Sequence, residues 1–140
     1  KQMAKKLKLA IVTPQKQIVQ RDDIDFVSIP AHNGGMGILP GHLQCVVKLE
    51  PGILTYKADK KDEEFAVMGG FAEVLDNVVS VFAESAELAS EIDEEASKQE
   101  VAKQKKLLLE KHPSLDVDAA QLAIKKEIVK MQLKRRRSGR

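Results

Sequence analysis

The sequence predicts an all-β N-terminal domain, an antiparallel β-sandwich of about ten strands, followed by a C-terminal antiparallel two-helix hairpin. Between residues 7 and 85, short runs rich in Val, Ile and Phe alternate with turn residues at intervals of about ten. After residue 84 there is no Gly until Gly139 and a single Pro, Pro113, while Ala, Glu, Lys, Leu and Gln dominate. The change in composition places a domain boundary near residue 88, with a sandwich over 1–88 and a helical hairpin over 89–140.

The predicted strands are short apolar runs that turn residues separate. In the first of them Leu7, Leu9 and Ile11 alternate with Lys8 and Ala10, which is the period of a strand with one buried face. The predicted strands cover 7–13, 18–20, 25–29, 43–49, 53–57, 64–68, 71–75 and 78–82. Turns fall at 14–17, 50–52, 59–62, 69–70 and 76–77, where Pro, Gly, Asp and Asn concentrate. About eight to ten strands of this length are enough for two packed sheets.

Residues 29–42 contain four of the eight glycines and two of the five prolines of the chain. This density predicts a loop of defined shape between two strands. A phosphate-binding loop is excluded, because Pro40 stands where a dinucleotide fingerprint requires its third Gly and no Gly-Lys-Ser or Gly-Lys-Thr follows a strand. The loop is therefore interpreted as a contact surface.

The C-terminal segment predicts two helices with a short link. Ser90 is the expected N-cap of the first helix, which should end near Lys111, and either Ser114 or Asp116 should start the second. On the second helix an apolar stripe consists of Val117, Ala120, Ile124, Ile128 and Met131, and a second line on nearly the opposite side consists of Leu122, Val129 and Leu133. A helix in a two-helix hairpin needs only one apolar face for its partner helix. The second apolar face therefore predicts packing on the sandwich or on a different protein.

The ionisable and nucleophilic residues form no catalytic constellation. Cys45 is the only cysteine, which excludes an internal disulfide and is typical of a reducing compartment. His32, His42 and His112 lie too far apart in sequence for a metal-ligand pair, so no metal site is expected. No apolar run approaches the ~18 residues that cross a bilayer, and the chain is expected to be soluble and intracellular. These absences indicate a binding or mechanical protein.

The net charge is +2, but basic residues concentrate at the C-terminus. From residue 112 onward there are eight Lys or Arg residues against three acidic ones. A solvated basic face or an acidic protein partner explains this run. Nucleic acid is disfavoured, because no aromatic residue lies among the basic ones.

Several motifs, in their order along the chain, resemble the epsilon subunit of bacterial and chloroplast F-type ATP synthases. They are Ile11-Val12-Thr13-Pro14, Gly37-Ile38-Leu39-Pro40-Gly41-His42, Leu49-Glu50-Pro51-Gly52, Gly69-Gly70-Phe71-Ala72-Glu73-Val74 and Ala86-Glu87 before Ile92-Asp93. The resemblance covers nearly the whole chain, and the string from Gly37 to His42 is its most specific part. It implies a non-catalytic rotor subunit of a proton-translocating synthase, with a ten-strand sandwich.

The resemblance also implies partners and contact residues. The sandwich would bind the gamma subunit and the c ring, and the hairpin would inhibit ATP hydrolysis by extending along gamma to the alpha and beta subunits. The implied c-ring contact consists of Gly35, Met36, Gly37 and His42. The implied contact with an acidic segment of beta consists of Lys125, Lys126, Lys130, Lys134 and Arg135 to Arg137. The protein would be peripheral, on the cytoplasmic face of a bacterial plasma membrane or, alternatively, on a thylakoid membrane.

The chain departs from the family pattern at two places. The family often has an acidic residue between the glycines of the c-ring turn, whereas this chain has Met36, which leaves an apolar contact. Some bacterial members bind ATP through Ile-Asp followed by Arg-Ala; Ile92 and Asp93 fit this motif, but Ala96 and Ser97 replace the Arg-Ala pair. A lost guanidinium removes about 1.5 to 3 kcal/mol, or roughly tenfold or more in affinity, so no cofactor and at most weak regulatory ATP binding is expected.

A different class of protein explains the same composition. A free-standing β-sandwich adaptor could use its basic C-terminal helix to bind nucleic acid or an acidic protein. Steeply salt-dependent binding to DNA or RNA, without binding to gamma, would distinguish this adaptor from the rotor subunit.

Overall fold

The computed structural model describes residues 5–32, 34–41 and 44–138, and the chain divides into two compact units between Glu87 and Leu88. The first unit contains the strands β1 (Leu7–Val12), β2 (Gln17–Ala31), β3 (Gly34–Ile38), β4 (Cys45–Lys48), β5 (Gly52–Ala58), β6 (Lys61–Val67), β7 (Gly70–Leu75), β8 (Val78–Ala83) and β9 (Ala86–Glu87). The second contains a 3₁₀ turn (Ala89–Glu91) and the helices α1 (Glu94–Glu110) and α2 (Val117–Ser138). Strands followed by a pair of helices is the fold class that the sequence predicts.

The long strand β2 joins the two layers of the sandwich. Its first half pairs with β1, and its second half pairs with β5 and β3. One layer therefore has the order β4-β7-β8-β1-β2, and the other continues from β2 to β5, β6 and β9, with β3 also on β2. Among the described strands every pair is antiparallel except β1 with β8, which run parallel. The two predicted runs at 18–20 and 25–29 are thus one strand, because the charged residues between them lie on an exposed, bulged stretch that still pairs.

The core lies between the inner faces of these layers. On β1 the side chains of Leu7, Leu9 and Ile11 are fully buried, and they alternate with exposed or half-buried residues as the sequence predicts. The facing layer contributes Leu54 and Phe65. Burying one Leu, Ile or Phe side chain stabilises the fold by about 1.5 to 3 kcal/mol, so this core dominates the stability of the first unit.

The Gly- and Pro-rich stretch is mainly a β-hairpin, and the prediction of a loop there was wrong for most of its length. Strand β2 continues to Ala31, and β3 pairs with it over five residues, with Met36 opposite Ile29 and Gly35 opposite Pro30. Gly34 has φ +108°, which allows the tight reversal. Glycine has a low strand propensity, and here pairing with a firmly packed neighbour outweighs it.

The first helix starts later than predicted. The residue that caps it is Asp93, whose Oδ1 accepts the Ala96 amide at 3.1 Å, and not Ser90. Ser90 lies instead in the 3₁₀ turn, and Glu91 caps that turn by accepting the Leu88 amide at 2.8 Å. Two acidic residues can both serve as caps in this segment, and a sequence pattern alone does not rank them.

The helices α1 and α2 contact each other, and the residues between them form a short link. Lys111, at the end of α1, has φ 52°, in the left-handed region that is typical of a helix C-terminus. Asp116 accepts the Ala119 amide at 3.0 Å, so it, rather than Ser114, starts α2. Along α2, Ala120, Val129 and Leu133 are buried, whereas Val117 and Ile128 of the predicted stripe are exposed. The predicted stripe is therefore only partly covered.

Candidate interaction surfaces

The β2–β3 hairpin presents the residues of the predicted c-ring contact. Gly35 and Gly37 are exposed on β3, and Met36 between them is half-buried. The predicted contact residue His42 lies outside the described residues. A groove of about 420 Å³ separates the hairpin from β4. It is lined by Ala31, His32, Gly34, Gly35, Met36, Val46, Val47 and Lys48, so most of its wall is apolar or bare backbone.

The segment before β5 holds the hairpin in place. The Glu50 amide donates to the Pro30 carbonyl at 2.9 Å, and the Glu50 carboxylate lies 3.4 Å from Nδ1 of His32. A Cβ on Gly52 would lie 2.5 Å from Cβ of Pro30, so the Gly52 backbone packs directly against the Pro30 ring and glycine alone fits. The close approach and the hydrogen bond constrain the position of the hairpin on the sandwich.

An exposed apolar face lies on the outer side of β4, β7 and β8, and it is not among the surfaces that the sequence predicts. Phe71 on β7 and Phe82 on β8 are opposite each other, 48% and 42% exposed, with ring centroids 5.0 Å apart. Val46 on β4 is 70% exposed, and Leu75 is also exposed. Glu73 lies between Phe71 and Leu75 on this face, and exposed apolar side chains with two aromatic rings beside polar ones are typical of a protein interface. We call Val46, Phe71, Leu75 and Phe82 the aromatic face.

A sequence signal for the aromatic face was available. Along β7 the exposed residues Phe71 and Leu75 alternate with the buried residues Ala72 and Val74, so both sides of the strand carry apolar residues. A strand in a two-layer sandwich needs only one apolar side. The second apolar side indicates a partner, but only the strand pairing shows that Phe82 lies next to Phe71.

The basic end of α2 lies against the start of α1. Nε of Arg135 is 3.0 Å from Oε2 of Glu94, and Nζ of Lys134 donates to the Ala89 carbonyl at 3.0 Å. Lys130 forms an ion pair of 3.4 Å with Glu127 on α2 itself. Lys125 is exposed, and Lys126 is half-buried. Several of the residues that the resemblance assigns to the beta contact are thus engaged inside the hairpin.

The helix ends are electrostatically complementary. The first turn of α1 carries Glu94 and Glu95, and the last turn of α2 carries Arg135, Arg136 and Arg137. In an antiparallel pair these two turns adjoin, so the partial positive end of the α1 dipole and its acidic side chains meet the partial negative end of α2 and its basic ones. This arrangement favours the closed hairpin.

The residues of the predicted nucleotide motif have other roles here. Ile92 is buried, and the Asp93 carboxylate caps α1. Ala96, at the position of the motif Arg, is exposed and has no polar side chain to offer a phosphate. Ser97, at the motif Ala, is buried. Among the described residues no group of three His, Cys, Asp or Glu side chains could hold a metal ion.

A charged cluster lies on the outside of β2. Arg21 donates to Asp23 from Nε at 2.8 Å and from Nη2 at 2.6 Å, and its guanidinium lies 5.9 Å from the centroid of the Tyr56 ring. The hydrogen bond from Arg21 lowers the pKa of Asp23, and the same bond, together with Tyr56, raises the pKa of Arg21. Both charges are neutralised within the pair, so the cluster is interpreted as structural.

Comparison with known proteins identifies the family. Residues 6–89 match the model of the ATP synthase Delta/Epsilon chain β-sandwich domain. The ATP synthase epsilon chain of Nitratidesulfovibrio vulgaris strain DP4 is 38% identical over 94% of this chain and 98% of its own length. That of Elusimicrobium minutum is 43% identical over 74% of this chain and 77% of its own length. Because the first similarity includes the helices, the adaptor alternative has no support.

A solved structure shares the fold over the whole chain. A chain in the cryo-EM structure of the Euglena gracilis mitochondrial ATP synthase, which contains OSCP, F1 and the c-ring, covers all of this chain with a TM-score of 0.82 and 21% identity. The match spans 85% of that chain. In the part of the chain that the structure describes, no helix is long and apolar enough to cross a membrane.

Proposed function

The chain belongs to the ATP synthase epsilon chain family, and from this premise we propose that it is a non-catalytic rotor subunit of a proton-translocating F-type synthase that links gamma to the c ring. Its C-terminal hairpin inhibits ATP hydrolysis when it extends. The observation that carries the proposal is that similarity to epsilon chains extends over 94% of the chain, through both the sandwich and the helices.

The gamma subunit binds the aromatic face. Phe71 and Phe82 lie on neighbouring strands in the middle of a paired layer, so their positions are fixed before binding. A preorganised pair of aromatic rings loses little conformational entropy when a partner covers it. Gamma is thus proposed to bury Val46, Phe71 and Phe82 together.

The c ring binds the tip of the β2–β3 hairpin. Gly35 and Gly37 expose backbone, and Met36 provides an adaptable apolar side chain. Gly52 fixes the hairpin on the sandwich by its contact with Pro30. Torque therefore passes between ring and gamma through a rigid body, with His42 proposed as an additional contact.

The inhibitory state requires the hairpin to open. In the closed hairpin Lys134 contacts the 3₁₀ turn before α1 and Arg135 contacts the first turn of α1, so they reach an acidic segment of beta only after these contacts break. Lys125, Lys126 and Lys130 belong to the same proposed contact. Regulation by ATP is proposed to be weak, because Ala96 offers no charge to a phosphate.

The protein is proposed to be peripheral, held to its membrane through the complex. The relatives at 38% and 43% identity come from bacteria, which favours the cytoplasmic face of a bacterial plasma membrane over a thylakoid.

Deleting residues 89–140 tests the inhibitory role. The ATPase rate of the synthase assembled with the truncated chain should rise, and binding of the truncated chain to gamma should be unchanged. An unchanged ATPase rate would remove the inhibitory role. Loss of gamma binding would instead show that the sandwich alone is not the gamma-binding unit.

A further inference from the structure

Two consecutive residues of α2, Lys134 and Arg135, contact the N-terminal part of the helical unit in the closed hairpin. Lys134 donates to the Ala89 carbonyl, which also accepts the Ile92 amide at 3.2 Å, and Arg135 pairs with Glu94. Glu94 is in the first turn of α1, and Ala89 is in the 3₁₀ turn that precedes it. The contacts therefore join the C-terminal end of α2 to the segment that follows β9 and begins α1.

We propose that Glu94 is an internal competitor that occupies Arg135 in the closed state and withholds it from the acidic surface of beta. The effect of this competition on ATP hydrolysis rests on the proposed inhibitory function, whereas the contact between Glu94 and Arg135 does not. A carboxylate at 3.0 Å from the guanidinium nitrogen is the same chemical partner that an acidic segment of another subunit would offer. Because Arg135 is on α2 and Glu94 is on α1, opening of the hairpin separates them, so this contact must break before Arg135 can reach beta.

The position of Glu94 makes it more suitable for this role than its neighbour Glu95. Glu94 is half-buried, and its distance to Nζ of Lys98 on the same helix is 3.8 Å, longer than its contact with Arg135. Glu95 is exposed in the same turn, with the same charge and the same relation to the α1 dipole. Glu95→Gln is thus a matched control for Glu94→Gln, because both remove one charge from the first turn.

The contact is partly solvent-exposed, so its effect is modest and depends on salt. Pairs of this kind shift an equilibrium by about two- to fivefold, and salt screens them. Glu94→Gln should therefore raise the ratio of open to closed hairpin by about two- to fivefold at low ionic strength. Glu95→Gln should change the ratio by less than about 1.5-fold.

The measurement uses the full chain with fluorophores on Gln99→Cys and Gln132→Cys in a Cys45→Ser background. Both labelled positions are exposed, and helices arranged end to end would separate them by about 50 Å, far more than in the paired helices. Single-molecule energy transfer then counts open and closed chains for each variant at low and high salt. The variants Glu94→Gln, Arg135→Gln and their combination complete a double-mutant cycle.

The proposal for Glu94 is supported if Glu94→Gln gives a larger open population than Glu95→Gln. It also requires that adding Arg135→Gln to Glu94→Gln gives no further increase. Equal populations in the two single variants, or additive effects of Glu94→Gln and Arg135→Gln, overturn it. The ATPase of the assembled synthase gives a separate result. If Glu94→Gln opens the isolated chain but does not increase inhibition, the competitor stands and the inhibitory function fails.

Discussion

Replacement of Phe82 by Thr should weaken binding to gamma without unfolding the sandwich. Thr is β-branched and has a high strand propensity, so the change acts mainly on the exposed ring. Phe82 is 42% exposed and stacks on Phe71. A Phe side chain has about 200 Å² of surface, so roughly 85 Å² is open to a partner.

At about 25 cal/mol per Å², covering that surface contributes about 2 kcal/mol to the binding free energy. The dissociation constant for gamma should therefore rise about 30-fold in Phe82→Thr. Titration of immobilised gamma with the full chain, read by surface plasmon resonance, measures this change. Circular dichroism and urea unfolding of the same preparations confirm that the sandwich is intact.

The matched control is Leu109→Ala. Leu109 on α1 is 82% exposed, so its truncation also removes exposed apolar surface, but outside the aromatic face. The affinity of the Leu109→Ala variant for gamma should change less than about twofold. If Phe82→Thr binds gamma as tightly as Leu109→Ala while both are folded, the aromatic face is not the gamma surface.

Three further changes test local physical arguments. A Cβ on Gly70, which has φ +104°, would lie 2.0 Å from the Phe82 carbonyl oxygen, so Gly70→Ala should cost about 3 kcal/mol or more in urea unfolding. Removing the cap in Asp93→Ala should cost the hairpin about 0.5 to 2 kcal/mol, read as lost helicity on heating. In Arg21→Gln the pKa of Asp23 should rise towards its ordinary value, as measured by an NMR titration. Because the pKa of Asp23 is lowered in the folded protein, its pair with Arg21 stabilises the fold above the ordinary Asp pKa. This stabilisation is lost as the pH falls through the pKa of the folded state.

The alternation of apolar and polar residues predicts the strands of the sandwich well, because a strand that buries one face shows this alternation in its own sequence. The run 78–82 corresponds to β8 at Val78–Ala83, and 53–57 to β5 at Gly52–Ala58. The sequence fails where pairing decides the structure. Strand β3 has three glycines and becomes a strand only because β2 lies beside it, and the charged part of β2 stays extended because β1 pairs with it.

The surfaces are predicted less well than the strands for the same reason. The family resemblance assigns Gly35 and Met36 to the c-ring contact, and both belong to one short Gly-rich stretch. The stacked pair Phe71 and Phe82 comes from two strands, and the contact between Glu94 and Arg135 joins residues 41 positions apart. No periodicity links such residues, so their proximity emerges only from the fold.

The two units differ in the kind of interaction that fixes their surfaces. In the sandwich, the β2–β3 hairpin is fixed by its strand pairing, by the buried side chains of Ile29 and Ile38, and by the contact of Gly52 with Pro30. Changing its position would expose the two buried side chains, at about 1.5 to 3 kcal/mol each. In the helical unit, the closing contacts of Lys134 and Arg135 are exposed or partly exposed polar ones, each worth about 1 kcal/mol or less. Val101 on α1 and Val129 and Leu133 on α2 are buried as well, so the polar contacts adjust the balance between closed and open hairpin and are not its main support. The same division explains why mutations at the sandwich surfaces should affect coupling, whereas mutations at Glu94 or Arg135 should affect inhibition.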